Sequence, residues 1–170
     1  QLQFVGEGSH DSYHPPSENG LRKGEVGVLS LDASYALGER WKLTAYGSYG
    51  VQSMNEADRA NYVADTKNIS TAFGLGINGQ PSGVWEVGAG VTYVNDLTKY
   101  SLTPDAATTA SNVAQNAIGL PDTKFSETRY GVYAKYALSK QSDLRLDVSY
   151  IIEKLDEWSW GFNGVPWVYS

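Results

Sequence analysis

The chain has 170 residues, 41% of them hydrophobic and 19% charged, with a formal net charge of −6. An acidic balance argues against a nucleic-acid partner, which calls for a basic face, and the absence of any apolar run of about 18 residues excludes a transmembrane helix. Neither feature excludes a membrane barrel, whose strands alternate lipid-facing and lumen-facing residues and so average to an unremarkable hydropathy.

The chain carries 18 Gly, 12 Tyr and 5 Trp, and no Cys. That combination suits a β protein that crosses an oxidising compartment. Residues 1–23 read as loop, being polar and punctuated by Gly6, Gly8, Pro15, Pro16 and Gly20; Gln1 to Val5 are open as the tail of an earlier strand. No signal peptide is visible at Gln1, so the expectation is a mature chain or one that begins inside a longer protein.

From Glu25 the period is two. Leu29, Leu31, Ala33, Tyr35 and Leu37 alternate with Ser30, Asp32, Ser34 and Ala36, the pattern of a strand with one apolar face. A tight turn at Gly38-Glu39-Arg40 leads to a second strand. Trp41, Leu43, Ala45, Tyr49 and Val51 lie on one face of it, and Lys42, Thr44, Tyr46, Ser48 and Gly50 on the other. Val51 to Lys67 reads as a long polar connection. Ile69, Thr71, Phe73, Leu75 and Ile77 then alternate with Ser70, Ala72, Gly74, Gly76 and Asn78, and residues 79–83 form a short turn. The fourth strand sets Trp85, Val87, Ala89, Val91 and Tyr93 against Glu86, Gly88, Gly90 and Thr92.

Thr98 to Lys124 reads as a second long connection, with a helical turn or two over Ala106 to Ala117. The fifth strand carries Tyr130, Val132, Ala134, Tyr136 and Leu138 opposite Arg129, Gly131, Tyr133 and Lys135. The sixth carries Leu144, Leu146, Val148, Tyr150 and Ile152 opposite Arg145, Asp147, Ser149 and Glu153. The predicted strands are residues 25–37, 41–52, 67–79, 84–98, 125–138 and 144–157, paired antiparallel in sequence order as three hairpins, and residues 158–170 read as loop.

Short turns alternate with long loops, as in outer-membrane barrels. A soluble sandwich or lipocalin-like binder also alternates apolar and polar residues, and dependence on detergent separates the two. Two details favour the barrel. Trp41 and Tyr49, like Trp85 and Tyr93, lie eight residues apart on one face. That is roughly 26 Å along a strand, near the height of an apolar band flanked by aromatic girdles. Tyr130, Tyr136 and Tyr150 join these as girdle candidates. The polar face holds small residues, Gly74, Gly76, Gly88, Gly90 and Gly131, and mid-strand charges, Glu86, Arg129, Lys135, Arg145 and Asp147. These are candidates for a wet lumen. The expected fold is all-β, an antiparallel up-and-down transmembrane β-barrel in the bacterial outer membrane. Residues 1–170 form a single segment of it. Six strands are fewer than the roughly eight of the smallest bacterial barrels, so the rest of the barrel is an expected partner beside the lipid bilayer.

The last third resembles the MtrB/PioB family of outer-membrane proteins associated with decahaem cytochromes. The resemblance is carried by Leu120-Pro121-Asp122-Thr123-Lys124-Phe125, by Tyr130-Gly131-Val132, and by Tyr150-Ile151-Ile152-Glu153-Lys154-Leu155-Asp156-Glu157-Trp158-Ser159-Trp160. It implies a large barrel that sheathes a periplasmic multihaem cytochrome and passes electrons to an extracellular one. The chain is shorter than such proteins, and the terminal aromatic strand is not among its segments. The glycines on the polar face would then admit the cytochrome, although strand glycines equally relieve crowding or set curvature.

Enzymatic and cofactor signals are weak. His10 and His14 stand at i and i+4, a metal spacing only on a helix, and Pro15 and Pro16 oppose a helix there. No Cys-x-x-Cys-His motif attaches haem to the chain itself, so haem enters only through a partner. Gly74-x-Gly76-x-x-Gly79 has the letters of a dinucleotide fingerprint, but no helix follows to receive a phosphate. The rival readings are a general or substrate-specific porin, favoured by lumen charges of both signs, a soluble β-sandwich binder, and a barrel lipid hydrolase. The last needs a Ser/His pair at the wall, which no strand supplies.

On the barrel reading Leu31, Leu43, Phe73, Leu75, Val87, Val91, Val132, Leu146 and Val148 face lipid and stand exposed on the isolated chain. A Leu75→Arg variant is then expected to lose roughly 2–4 kcal/mol near the bilayer midplane. Urea titration of the protein in phospholipid vesicles measures this, and an unchanged stability places Leu75 away from lipid.

Overall fold

The computed structural model describes residues 2–12, 21–57, 62–104, 120–160 and 166–169. The strands in chain order are β1 (Leu2–Ser12), β2 (Leu21–Leu37), β3 (Trp41–Ala57), β4 (Tyr62–Ser82), β5 (Trp85–Pro104), β6 (Thr123–Ala137), β7 (Asp143–Trp160) and β8 (Pro166–Tyr169). Each pairs antiparallel with the next, and the sheet order follows the sequence. Among the described residues there is no helix. The antiparallel, sequentially paired sheet expected from the alternation is therefore what the described residues form.

All three short turns stand at the same end of the sheet. The β2–β3 turn is set by Gly38, whose φ of 70° is accessible to glycine without the clash that a Cβ brings. The β4–β5 hairpin shifts register between Gly79 and Ser82 before closing on Trp85, and the Gln80 amide donates across to the Arg40 carbonyl at 2.9 Å. The β6–β7 turn is tied by the Leu138 and Ser139 amides, which both donate to the Ser142 carbonyl. Turns this short fix register, because a slip of one residue exchanges the two faces of a strand.

The structure differs from the sequence reading where apolar alternation fades. The loop expected over residues 1–23 contains β1, in full register with β2 from Leu2↔Ala33 to Ser12↔Lys23. Its outward positions include Gly6, Gly8 and His10, which show no apolar period, so the pattern was hidden although the ladder needs only backbone. The supposed connection from Val51 to Lys67 is mostly paired, with β3 and β4 in register as far as Ala57↔Val63. Likewise β5 continues to Pro104, and β6 begins two residues earlier than expected, at Thr123. The loop expected over residues 158–170 contains the end of β7 and the short β8, which pairs Glu157↔Tyr169 to Trp160↔Pro166. The sheet thus has eight strands and not six. The helical turn expected over Ala106 to Ala117 lies outside the described residues.

No pairing joins β1 to β7 or β8 among the described residues, so the sheet has two free edges. It also has no conventional core. No large side chain is fully buried among the described residues, and apolar groups such as Leu75 (61% exposed) and Leu146 (65%) stand open.

The unforeseen strand β1 yields a direct test. The chain has no native cysteine, and facing residues in an antiparallel pair sit within disulfide reach while diagonal neighbours do not. A Gln3→Cys/Asp32→Cys variant should crosslink on mild oxidation, and Gln3→Cys/Ser34→Cys should not, as read by mass spectrometry. Failure of the first pair would remove β1 from the sheet.

Candidate functional site

The register collects every predicted apolar position on one face. One cross-strand row reads Ala33, Ala45, Leu75, Val91, Tyr130 and Tyr150 from β2 to β7. The neighbouring row, one residue along, reads Ser34, Thr44, Gly76, Gly90, Gly131 and Ser149. Because side chains alternate at each step, these rows lie on opposite faces. The sheet therefore has a continuous apolar face and a continuous polar face.

Leu31, Leu43, Phe73, Leu75, Val132, Leu146 and Val148 are exposed on the apolar face. Val87 and Val91, expected to be exposed as well, are half-buried. Val91 stands on β5 between Leu75 and Tyr130 of the neighbouring strands. The aromatic candidates occupy this face at two levels. Trp41, Trp85 and Tyr136 stand near the short turns, where the Trp85 and Tyr136 rings pack with centroids 4.8 Å apart. Tyr49, Tyr93, Tyr130 and Tyr150 stand at the other level, with Tyr93 packed on Phe73 at 5.1 Å.

The polar face holds every predicted small and charged candidate. Glu86, Lys135 and Arg145 form one row across β5, β6 and β7, with Gly88, Tyr133 and Asp147 in the next of the same face. Tyr133, which sequence reasoning did not single out, organises this corner. Its ring lies over Gly88, where a Cβ would collide with it. Its hydroxyl donates to Glu86 Oε1 at 2.9 Å, and the Arg145 guanidinium stacks on it at 4.3 Å from the ring centre. Arg145 in turn donates from Nε and Nη2 to both Asp147 oxygens, at 2.8 and 2.7 Å. Lys135 Nζ stands 2.6 Å from Asp143 Oδ2, and Arg129 Nε 3.0 Å from Glu127 Oε1. The lumen candidates Glu86, Arg129, Lys135, Arg145 and Asp147 are thus each matched by an opposite charge or a hydrogen-bond partner. The readable signal was a polar-face tyrosine opposite a glycine on the next strand.

The glycines divide into two sets. Gly74 and Gly88 are roofed by the rings of Tyr46 and Tyr133, so the four hairpin glycines Gly74, Gly76, Gly88 and Gly90 do not together leave room for an occupant. The open floor is instead formed by Gly90 and Gly131, which face one another across β5 and β6, while Gly76, in the same row, is covered by the Thr44 side chain. An open depression of about 460 Å³ lies here, bounded by Thr44, Asn78, Thr92, Arg129, Tyr133 and Asp147. His10 sits in β1, 3.1 Å from Glu25 Oε1, and His14 is outside the described residues.

Comparison with known families matches residues 1–168 to the one described as outer membrane beta-barrel porin, MtrB/PioB. This is a porin family and not an enzyme family. It sets an apolar face with open side chains in a membrane, where that exposure is expected. No curated protein matches the chain.

The layered corner predicts a specific coupling. Gly88→Val must displace the Tyr133 ring and is expected to destabilise the protein by roughly 1–3 kcal/mol, as overpacking does. Removing the ring in Gly88→Val/Tyr133→Ala should recover part of that loss. Denaturant titration in micelles measures both, and additive losses in the double variant would contradict the packing described.

Proposed function

The chain belongs to the MtrB/PioB family of outer-membrane β-barrel porins, and on that premise we propose that its polar face lines the pore and lies against a multihaem cytochrome inserted there. The apolar face then meets lipid, with Trp41, Trp85 and Tyr136 at one interface and Tyr49, Tyr93, Tyr130 and Tyr150 towards the other. The free edges at β1 and β8 pair with further strands of the barrel, since an unpaired edge is not tolerated in lipid. The chain acts as an insulating wall, and redox chemistry belongs to the haems of the periplasmic and extracellular partners.

The observation that carries this reading is the low floor of Gly90 and Gly131. Glycines in strands favour the close approach of another backbone, and this pair in register presents that opportunity across β5 and β6 at one height. The surrounding charges are already matched within the wall. Such a surface offers polar contacts to a protein occupant without leaving uncompensated charges when water is displaced. A solute porin is the second reading, favoured by Arg129 and Asp147, charges of opposite sign that line a depression open to water.

The test is purification of the intact barrel in mild detergent followed by an absorbance spectrum. Haem is expected to co-purify with the native protein, and Gly131→Trp, which fills the floor, is expected to lower the haem-to-barrel ratio at least severalfold. A barrel that purifies intact without haem and conducts ions freely in a planar bilayer would establish the solute porin instead.

A further inference from the structure

Beyond the aromatic level distant from the short turns, the outward face changes from apolar to basic. Lys67, Lys99 and Lys154 each take the next position of the outward parity beyond an apolar residue, Ile69, Leu97 and Ile152. Lys124 faces Leu97 across the β5–β6 pair. Lys67, Lys99 and Lys124 each stand six residues from the aromatic residue of their own strand, Phe73, Tyr93 and Tyr130, and Lys154 stands four from Tyr150. The lysines therefore run parallel to the aromatic row. At about 3.3 Å per residue and a tilt near 40°, that offset is roughly 15 Å of height for the first three.

This rim is unusual in a chain of net charge −6. All four lysines are exposed, and among the described residues none of them makes an ion pair. Lys67 and Lys99 directly oppose one another across β4 and β5, an arrangement that destabilises a sheet unless an anion lies between them. The nearby acids do little to relieve it. Asp65 accepts from Asn55 at 2.7 Å, Glu25 is held by Lys23 at 2.7 Å, and Asp156, opposite Lys124, makes no ion pair with it.

We propose that Lys67, Lys99, Lys124 and Lys154 form an outward-facing site for the phosphorylated headgroups of outer-leaflet glycolipids. The inference rests on the outer-membrane placement and not on the cytochrome sleeve. The long connection between Pro104 and Thr123 leaves the sheet at this end, and the longer loops of such barrels are extracellular. The lysines share a face with the lipid-contacting belt, so their neighbour is the bilayer surface, while a protein in the pore meets the other face. Their stems lie against the last apolar residues, and their ammonium groups extend to headgroup height.

Fluorescent lipid A titrated into the intact barrel in zwitterionic detergent tests the proposal. The K67Q/K99Q/K124Q/K154Q variant is expected to bind at least tenfold more weakly, with its heat-modifiable gel mobility unchanged, while Lys140→Gln at the short-turn end binds as the native protein does. Dephosphorylated lipid A should bind the native protein no better than lipid A binds the quadruple variant, and inorganic phosphate at equal phosphate concentration should not compete. Equal binding by native and quadruple variant overturns the site, as does full competition by inorganic phosphate. Loss of haem co-purification in the quadruple variant, with lipid A binding intact, assigns the rim to a protein partner and also overturns it. A native barrel that lacks haem but binds lipid A in this lysine-dependent way defeats the cytochrome reading alone.

Discussion

A bilayer offers no hydrogen-bond partner to a backbone amide or carbonyl, and this constraint governs the whole arrangement. A strand satisfies it only through its neighbours. From β2 to β7 each strand is paired on both sides, and pairing runs on past the apolar belt, as between β4 and β5 as far as Tyr62↔Pro104. The ladder depends on no particular side chain. That independence lets one face become mainly apolar and the other mainly polar without cost to the backbone.

The two faces solve different packing problems. Outward side chains meet a fluid solvent and need no complementary shape, so Leu75, Val132 and Leu146 stand open beside one another. Inward side chains pack against one another, and here a tyrosine faces a glycine of the next strand. Tyr46 covers Gly74, and Tyr133 covers Gly88. Each ring fills the space that the glycine leaves and shields its backbone, which is how aromatic cross-strand partners offset the weakness of strand glycines. Where no ring arrives, at Gly90 and Gly131, the floor stays low. The family's barrel architecture accounts for the rest: a wall of this kind serves by the shape and charge it presents.

Much of this was legible in the sequence because membrane strands obey period two so strictly. The six strands from β2 to β7, their order and the membership of both faces follow from runs such as Ile69 to Asn78. The parts that were not legible share one cause. Apolar alternation marks only the stretch of a strand in contact with lipid, whereas pairing continues wherever a neighbour exists. Thus Ala64 and Asp65 read as loop although they are paired with Leu102 and Ser101, and β1 was hidden behind Gly6, Gly8 and His10. On the polar face the charged and glycine positions were readable one by one. Their relations were not, because the Tyr133, Glu86 and Arg145 contacts span three strands and depend on register. The same register separated Gly74 and Gly88 from the open floor.

The central claim is that the face bearing Leu75 meets lipid and the face bearing Gly76 meets water. Single cysteines introduced in turn from position 70 to position 77, in a chain with no native cysteine, can be labelled with an environment-sensitive fluorophore in vesicles. A lipid-borne quencher should then act on positions 71, 73, 75 and 77, and an aqueous quencher on 70, 72, 74 and 76, in strict alternation. Uniform quenching by one reagent along the segment, or alternation of the opposite phase, would contradict the account.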